Sequence, residues 1–283
     1  MILVDFSGLI IAGAMTQKNP VVDEGLLRHN CLNTILSVKK KFGAKYGDIV
    51  LCYDGNNYWR RGIYPHYKGN RKASKEESTF DWKLFYTFMD KIKEELRTVF
   101  PYKIIELDNC EADDIIGTLA LEAKEETIIY SRDQDFIQCL ANPRVKLWSA
   151  DKKKLYEKML PYEVEWHIFQ KVCQGDKGDW VPNIFSDINA LQDGVRQTNC
   201  KESVVEILYK DPSAKEWTVT IKERYELNEK LINLKCIDPE IKQKIRDAFE
   251  LPVIGSKGRI FAYLMNKQLN ALGGHFVKDI NSF

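Results

Sequence analysis

The sequence predicts an α/β fold, a mainly parallel central sheet flanked by helices, followed by a smaller all-helical C-terminal domain. Three observations lead there. Short β-branched or apolar runs at 2–6, 49–53, 103–107, 127–131 and 145–149 alternate with longer segments of helical period, the order that builds parallel sheets. Beyond about residue 156 the β-rich runs stop and only helical patterns follow. The 283 residues suffice for about two domains of ~150 residues. The division is therefore expected as an α/β domain over 1–160 and a helical domain over 161–283.

Taken in order, the first apolar run closes at Asp5. After Glu24, the residues Leu27, Cys31, Ile35, Val38 and Phe42 recur at steps of three and four. That spacing puts them on one face of an amphipathic helix, expected to end at Gly43 and to cover the sheet. The stretch 56–80 follows the second run as a basic bridge. Pro65, Gly62 and Gly69 argue against a long helix in its first part, whereas 74–77 is expected to open a helix that continues through 80–97. The C-terminal helices are expected at 162–173, 201–210, 215–234, 238–249 and 258–272, the fourth with Asp238 as N-cap and Pro239 at its first position. No repeat of solenoid length and no low-complexity tract interrupts this plan.

Composition excludes several classes. Lys plus Arg number 42 and Asp plus Glu 41, a net charge of +1, so the bulk basicity of many nucleic-acid binders is missing. No apolar run nears the ~18 residues a bilayer span requires, and Met1 to Asp5 lacks the basic segment that precedes a signal peptide's apolar core. These features predict a soluble, intracellular protein with no membrane partner. Cys31, Cys52, Cys110, Cys139, Cys173, Cys200 and Cys236 are odd in number, widely spaced and without a Cys-x-x-Cys pair. They are expected to be reduced core residues, forming neither a disulfide framework nor a zinc site.

In open α/β sheets ligands sit beyond the carboxyl ends of the strands, and here those ends are acidic. Asp5 closes the first run, Asp54 follows the second, and Asp133 and Asp135 follow the fourth; Glu111, Asp113 and Asp114 head the helix after the third. Residues 106–135 hold ten acids against two bases. Carboxylates gathered at one edge repel and take up protons unless a cation neutralises them. An all-oxygen set without matched His or Cys favours a hard ion such as Mg²⁺ or Mn²⁺ over Zn²⁺. Asp176 and Asp179, in Gly175-Asp-Lys-Gly-Asp179, form a further pair suited to a second metal site. Each acid by itself reads equally well as a turn former or helix cap, so the case rests on the set. Because a spacing of two does not share a helix face, Glu111 and Asp113 serve one ion only if Glu111 lies at or before the cap, and Asp114 then points elsewhere.

The counterpart is the stretch 58–75, with Arg60, Arg61, Lys68, Arg71, Lys72 and Lys75, no acid, and Tyr58, Trp59, Tyr64 and Tyr67 interleaved. A charge run is ordinarily a solvated loop. Basic residues mixed with aromatic rings, placed directly after Asp54, also suit phosphate neutralisation and base stacking.

These motifs resemble, in order, those of the flap-endonuclease or 5′-nuclease family: Ile2-Leu-Val-Asp5-Phe, Tyr53-Asp54-Gly, Tyr67-Lys68-Gly-Asn-Arg71, Glu111-Ala-Asp113-Asp, Ser131-Arg-Asp133-Gln-Asp135-Phe and Gly175-Asp176-Lys-Gly-Asp179. Tyr58-Trp-Arg-Arg and Glu77-Ser-Thr-Phe-Asp-Trp82 are most similar to the ribonuclease H branch found in tailed phages. The motifs span Asp5 to Asp179; beyond that the likeness is thinner, resting on 194–208 and 258–263. The resemblance implies a PIN-like nuclease core, with a metal-dependent activity that cuts phosphodiester bonds from the 5′ end of RNA·DNA and DNA duplexes and at flaps, for primer removal in phage replication. It implies two Mg²⁺ ions, with Mn²⁺ able to substitute. Asp5, Asp54, Glu111, Asp113 and Asp133 would form the first metal site, and Asp135, Asp176 and Asp179 the second. Lys68 and Arg71 match the family's catalytic basic pair, which positions the scissile phosphate and offsets its charge. Tyr67 would stack on a base, and Arg60, Arg61 and Lys72 would contact phosphates. Single-stranded-DNA-binding protein and sliding clamp are the implied protein partners, and a monomer in the host cytoplasm is the implied state.

After Asp179 the chain departs from the wider family pattern. Asn-Ile-Pro-Gly and a glycine-rich helical hairpin give way to Trp180-Val-Pro182-Asn183-Ile184, which puts a potassium site there in doubt. In the phage branch Gly194-Val-Arg196-Gln-Thr198 leads to the helix at Lys201, whose N-terminal amides suit a phosphate. Two alternatives remain open on the residues: a smaller PIN-type ribonuclease, opposed by chain length and the basic bridge, and a non-catalytic DNA-binding scaffold, opposed by the complete acid set.

Overall fold

The computed structural model describes residues 1–15 and 22–269. Five strands pair in parallel: β1 (Ile2–Asp5), β2 (Ile49–Cys52), β3 (Lys103–Ile105), β4 (Thr127–Ser131) and β5 (Val145–Ser149). A sixth, β6 (Lys154–Tyr156), runs antiparallel to β5, and the order across the sheet is β3-β2-β1-β4-β5-β6. The sheet matches the predicted class. The edge strand β6 was not expected, because three residues beside a run of lysines carry almost no β signal. It forms where β5 offers an open ladder edge and the lysines keep that edge in water.

Burial explains the strands. All four residues of β1 and of β2 are buried, as strands covered on both faces require. Alternation then sorts them. Ile2, Val4, Ile49 and Leu51 enter the core on one side of the sheet, and Leu3, Val50 and Cys52 the core on the other. From β1 the chain builds outward to β2 and β3, returns, and adds β4 on the opposite side. The strand order thus reverses between β1 and β4, where an open sheet leaves its crevice.

Helices α1 (Phe6–Met15), α2 (Glu24–Tyr46), α5 (Trp82–Val99) and α11 (Lys257–Asn266) cover the first face. Between α2 and α5 lie two short helices of the basic bridge, α3 (Arg60–Ile63) and α4 (Asn70–Glu76). The other face receives α6 (Ala112–Leu121), α7 (Pro161–Gln174), α9 (Val219–Ile232) and α10 (Pro239–Glu250), while α8 (Glu202–Lys210) closes a small satellite core of Cys173, Ile184, Val205 and Leu208. The division at 160 separates element types but not packing. Val164, Ile168, Leu231 and Ile245 share a core with Leu3 and Ile115, and Ile260 and Leu264 share one with Ile2 and Val4.

Several helix boundaries differ from expectation for local reasons; α9, expected over 215–234, starts only at Val219, where the Thr218 side chain accepts the Ile221 N–H, and ends at Ile232. Helix α2 continues past Gly43 to Tyr46, and Gly47, at φ 76°, closes it by donating its N–H to the Gly43 carbonyl; a glycine takes that left-handed turn without steric cost. Helix α5 starts after Asp81, whose side chain accepts the Leu84 N–H, so 74–77 ends α4 and does not open α5. Asp238 and Pro239 start α10 as their types predict. The helix expected over 258–272 ends at Asn266, with Lys267 as its C-cap, and 270–272 lie outside the described residues. All seven cysteines are free, five of them buried. Among the described residues no helix is long and apolar enough to cross a membrane.

Gly55 follows Asp54 and donates its N–H to the Cys110 carbonyl at 2.9 Å; a Cβ there would lie 2.0 Å from the Leu107 carbonyl oxygen. The backbone approach leaves no room for a methyl. Gly55→Ala is expected to lower unfolding free energy by about 1–3 kcal/mol, read from the urea midpoint at unchanged slope. A midpoint equal to wild type would contradict this packing.

Candidate active site

The acids at the crevice are held by backbone amides and two serines. Asp5 ends β1, and because α1 starts at the next residue its Oδ1 accepts the Gly8 N–H at 3.2 Å, as an N-cap does. A Cβ at Gly8 would sit 2.8 Å from Asp5 Oδ2. The Ser131 hydroxyl donates to that Oδ2 at 2.7 Å and accepts the Asp133 N–H at 3.0 Å, so one fully buried hydroxyl links the acid that ends β1 to the segment that follows the adjacent β4. Asp54 is placed similarly. Its N–H donates to Ser7 Oγ, and its Oδ1 accepts the N–H of Ala112, the first residue of α6.

Glu111 is the N-cap of α6, the position the spacing required. Its carboxylate has no exposed surface and faces three donors. Arg60 Nη1 reaches Oε2 at 2.6 Å, Lys68 pairs with Oε1, and the Tyr67 hydroxyl lies 3.2 Å from Oε2. Asp114 turns away from the crevice, pairing with Arg60 at 2.8 Å and accepting the Trp59 indole N–H and the Glu111 N–H. Arg60 also donates to the Leu231 carbonyl of α9 at 2.8 Å.

These contacts correct two expectations. Arg60 is 2% exposed and cannot meet a substrate phosphate; two buried carboxylates and a helix end claim its donors. Tyr67 is 4% exposed, its hydroxyl held by Glu111 and by Asp179 at 3.1 Å and its ring packed edge-on against Tyr58, so no free face remains for a base. Arg61 is exposed, donates to the Tyr67 carbonyl and lies 5.1 Å from the Tyr58 ring centre. Lys72 is exposed beside Glu76.

Lys68 is held at φ 54°, an uncommon backbone state for a residue with a side chain. Its N–H donates to the Asp179 carbonyl at 2.9 Å, which pins the bridge to the loop after α7. Burial alone would lower the Lys68 pKa. Tyr67, Glu111 and Asp179 around it instead hold the ammonium well above its ordinary value. Asp179 faces Arg71 at 2.8 Å and Lys68 at 3.5 Å, and these cations overcome its burial to keep its pKa low.

The remaining acids lie opposite. Asp135 donates its N–H to Asp133 Oδ1 at 2.7 Å, and Asp176 Oδ1 accepts the N–H groups of Gly178 and Asp179. Lys171, in the last turn of α7, pairs with Asp135 at 2.9 Å and Asp176 at 3.2 Å. A cavity of about 30 Å³ is lined by Asp113, Asp135, Asp176 and Asp179 together with Arg60 and Tyr67, room for one water-sized guest. Burial raises the Asp5 pKa to about 6 despite the Ser131 hydrogen bond, with Asp54 and Asp133 adding to it. Burial and then Asp133 raise Asp135 to about 6. Asp113 is raised well above its ordinary value by burial, and Asp133, Asp5 and Glu111 outweigh Lys68.

Among the described residues no three His, Cys, Asp or Glu side chains close into a metal cage. The donor set nevertheless fits a hard cation that keeps part of its water shell and uses few protein oxygens. The carboxylates are oxygen-only, turned inward by amides, and mutually repelled in the absence of a cation.

A family model described as the 5′-3′ exonuclease N-terminal resolvase-like domain matches residues 17–171, and one described as the C-terminal part of T4 RNase H matches 163–283. The chain belongs to the 5′-3′ exonuclease family. Within that family it is 32% identical to the ribonuclease H of Enterobacteria phage T4 over 99% of this chain and 95% of that protein. It is 28% identical to the flap endonuclease Xni of Shewanella sp. (strain ANA-3), over 48% of this chain and 52% of that one. Among solved structures it is similar to the T5 5′-exonuclease with divalent zinc ions bound, at a TM-score of 0.62 and 21% identity over 88% of this chain and 98% of that one. It also resembles a pseudo-enzyme-product complex of the T5 flap endonuclease with DNA and metal ions, at 0.61 and 21% over 88% and 97%. These likenesses extend the exonuclease fold across both halves of the chain.

Sequence reasoning missed Ser7, Ser131 and Lys171. Ser131 was visible as the last residue of a strand and the first of the Ser131-Arg-Asp133-Gln-Asp135-Phe motif, with no role of its own, and Lys171 only as a base five residues before Asp176; neither position reveals its partners without the fold.

Two outcomes are expected. Arg60→Met leaves Glu111 and Asp114 buried without their guanidinium and should destabilise the protein by about 3–5 kcal/mol in urea denaturation; a loss below about 1 kcal/mol would mean that Lys68 and Tyr67 suffice. For pH, Asp5 and Asp135 have folded-state values of about 6 against 3.8. They favour the metal-free fold at low pH, and that contribution is lost as pH rises from 3.8 through about 6. Divalent ions compete with those protons, so Mn²⁺ affinity measured calorimetrically should fall between pH 7 and pH 5, and a flat profile would contradict the raised values.

Proposed function

We propose that the protein is a Mg²⁺-dependent 5′-nuclease that hydrolyses phosphodiester bonds from the 5′ end of RNA·DNA and DNA duplexes and at 5′ flaps. Its role is removal of RNA primers during phage DNA replication, in the cytoplasm of an infected host. The observation that carries this reading is the juxtaposition at the β1/β4 crevice. Asp113, Asp135, Asp176 and Asp179 line one cavity, and Asp179 pairs with both Lys68 and Arg71.

Asp5, Asp54, Asp113 and Asp133 would hold one ion, and Asp135, Asp176 and Asp179 the other. Glu111 is better placed as the anchor of Lys68, since Arg60, Lys68 and Tyr67 surround its carboxylate. When bound, the ions supply the Lewis acidity that makes water nucleophilic at neutral pH and offsets charge on the attacked phosphate and leaving oxygen. Arg71, with its side chain 47% exposed, would orient the scissile phosphate, and buried Lys68 would add a fixed positive charge behind it. The carboxylates supply no covalent nucleophile. Arg61, Lys72, Arg196 and Lys201 are exposed and would track the backbone phosphates. The loop before α8 is tied down where the Asn183 N–H donates to Gln197 Oε1 and its side-chain amide donates to the Thr198 carbonyl, and it would replace the helical hairpin as a duplex support. Single-stranded-DNA-binding protein and sliding clamp are the partners such an enzyme would meet, and a monomer suffices for the site.

The test is digestion of a 5′-labelled RNA·DNA hybrid with and without Mg²⁺. Short 5′ products are expected only with metal, and Asp133→Asn should slow their release roughly 100-fold, a barrier increase of about 2.7 kcal/mol. Absence of products with metal, or an unimpaired Asp133→Asn variant, would sink the reading.

A further inference from the structure

Lys171 stands where two carboxylates from different elements meet. Asp135 opens the 3-10 turn Asp135–Ala141 after β4, and Asp176 lies just past the end of α7. The ammonium bridges them, 2.9 Å from Asp135 Oδ1 and 3.2 Å from Asp176 Oδ2. Both acids also line the small cavity that Asp113 and Asp179 share. A single positive charge thus already lies between two of the three oxygen donors assigned above to the second ion.

The two lysines of the crevice differ in their freedom to leave. Lys68 is 4% exposed, with its ammonium 5.4 and 5.2 Å from the ring centres of Tyr58 and Tyr67 and paired with buried Glu111. Removing it would take one of two cations from a carboxylate with no access to water. The Lys171 side chain is 26% exposed, and its partners are 28% and 25% exposed. It sits on a flexible four-carbon stem in the last helical turn, where the C-terminal end of α7 favours a cation in any nearby rotamer. Its departure would leave two carboxylates that keep partial access to water.

We propose that Lys171 is an internal counter-cation of the Asp135–Asp176 pair which a divalent ion must displace, so that this lysine sets the affinity of the second metal position and makes it the last to fill. The inference rests on the metal-dependent reading above. Its physical basis is competition for the same oxygens. The lysine relieves repulsion between the two carboxylates when no ion is present, and its charge opposes an incoming cation at short range. Once displaced it remains on the protein, so the penalty persists as long-range repulsion. Among the described residues Asp5, Asp54, Asp113 and Asp133, assigned above to the first ion, have no bridging cation with this freedom, and the positive charge near Asp113, Lys68, is locked on Glu111.

The test is calorimetric titration of Mn²⁺ into the metal-free full-length protein, with electron paramagnetic resonance to detect paired Mn²⁺ ions. Wild type is compared with Lys171→Met, which keeps the stem and removes the charge, Lys171→Gln as a second neutral variant, and Lys171→Arg, which restores the charge. The expected result is a stronger and a weaker position in wild type. The neutral variants should tighten the weaker one about tenfold or more while leaving the stronger unchanged, and Lys171→Arg should stay near wild type. The paired-ion signal should arise at lower Mn²⁺ in the neutral variants. An unchanged weaker position in folded Lys171→Met and Lys171→Gln would overturn the proposal, as would its loss, which would make Lys171 a support for the acids. If wild type binds no Mn²⁺ at all, the metal-dependent reading itself falls.

Discussion

A buried carboxylate flanked by two buried cations organises this protein. Glu111 has no exposed surface, and Arg60 and Lys68 approach it from the basic bridge. Arg60 continues to Asp114 and to the end of α9, and the Lys68 main chain continues to Asp179. Through these few contacts the bridge, the head of α6, the C-terminal helices and the loop after α7 are set relative to one another. Charges taken out of water are tolerated only when their partners are fixed, so the network makes the crevice rigid where chemistry requires it.

The second organising feature is the use of helix starts to hold acids. Asp5 caps α1, Glu111 caps α6, and Asp54 accepts the first amide of α6. At Asp5 and Asp54 the amide stabilises the carboxylate, whereas the Glu111 carboxylate relies on Arg60, Lys68 and Tyr67. The compensation is incomplete at Asp5, Asp113 and Asp135, whose pKa values burial raises first and neighbouring acids raise further. The local excess of negative charge is the attraction a hard cation would feel, and the near-neutral net charge of the chain conceals it.

Much of the plan was legible because it rests on strong, local signals. Parallel strands buried on both faces must be continuous apolar runs, which made β1, β2, β4 and β5 visible nearly to the residue. The acids were legible as strand-end residues, since the strand end and the crevice coincide in such sheets. The bridge was visible as charge but not as structure. Composition could not separate Arg60, buried and structural, from Arg61, exposed, although the two are adjacent; α3 turns one inward and its neighbour outward.

The sequence by itself determined the order of elements, the two-sided burial of the central strands and the inventory of acids and bases, because each follows from periodicity and residue type along the chain. Only the tertiary structure decided which charges meet. The pairing of Glu111 with Arg60 and Lys68, the Ser131 link between Asp5 and Asp133, and the bridging of Asp135 and Asp176 by Lys171 join residues whose partners lie on different elements or whose side-chain directions depend on the fold. Coulomb energy depends on distance in space and on burial, and neither is written in the spacing of residues along the chain.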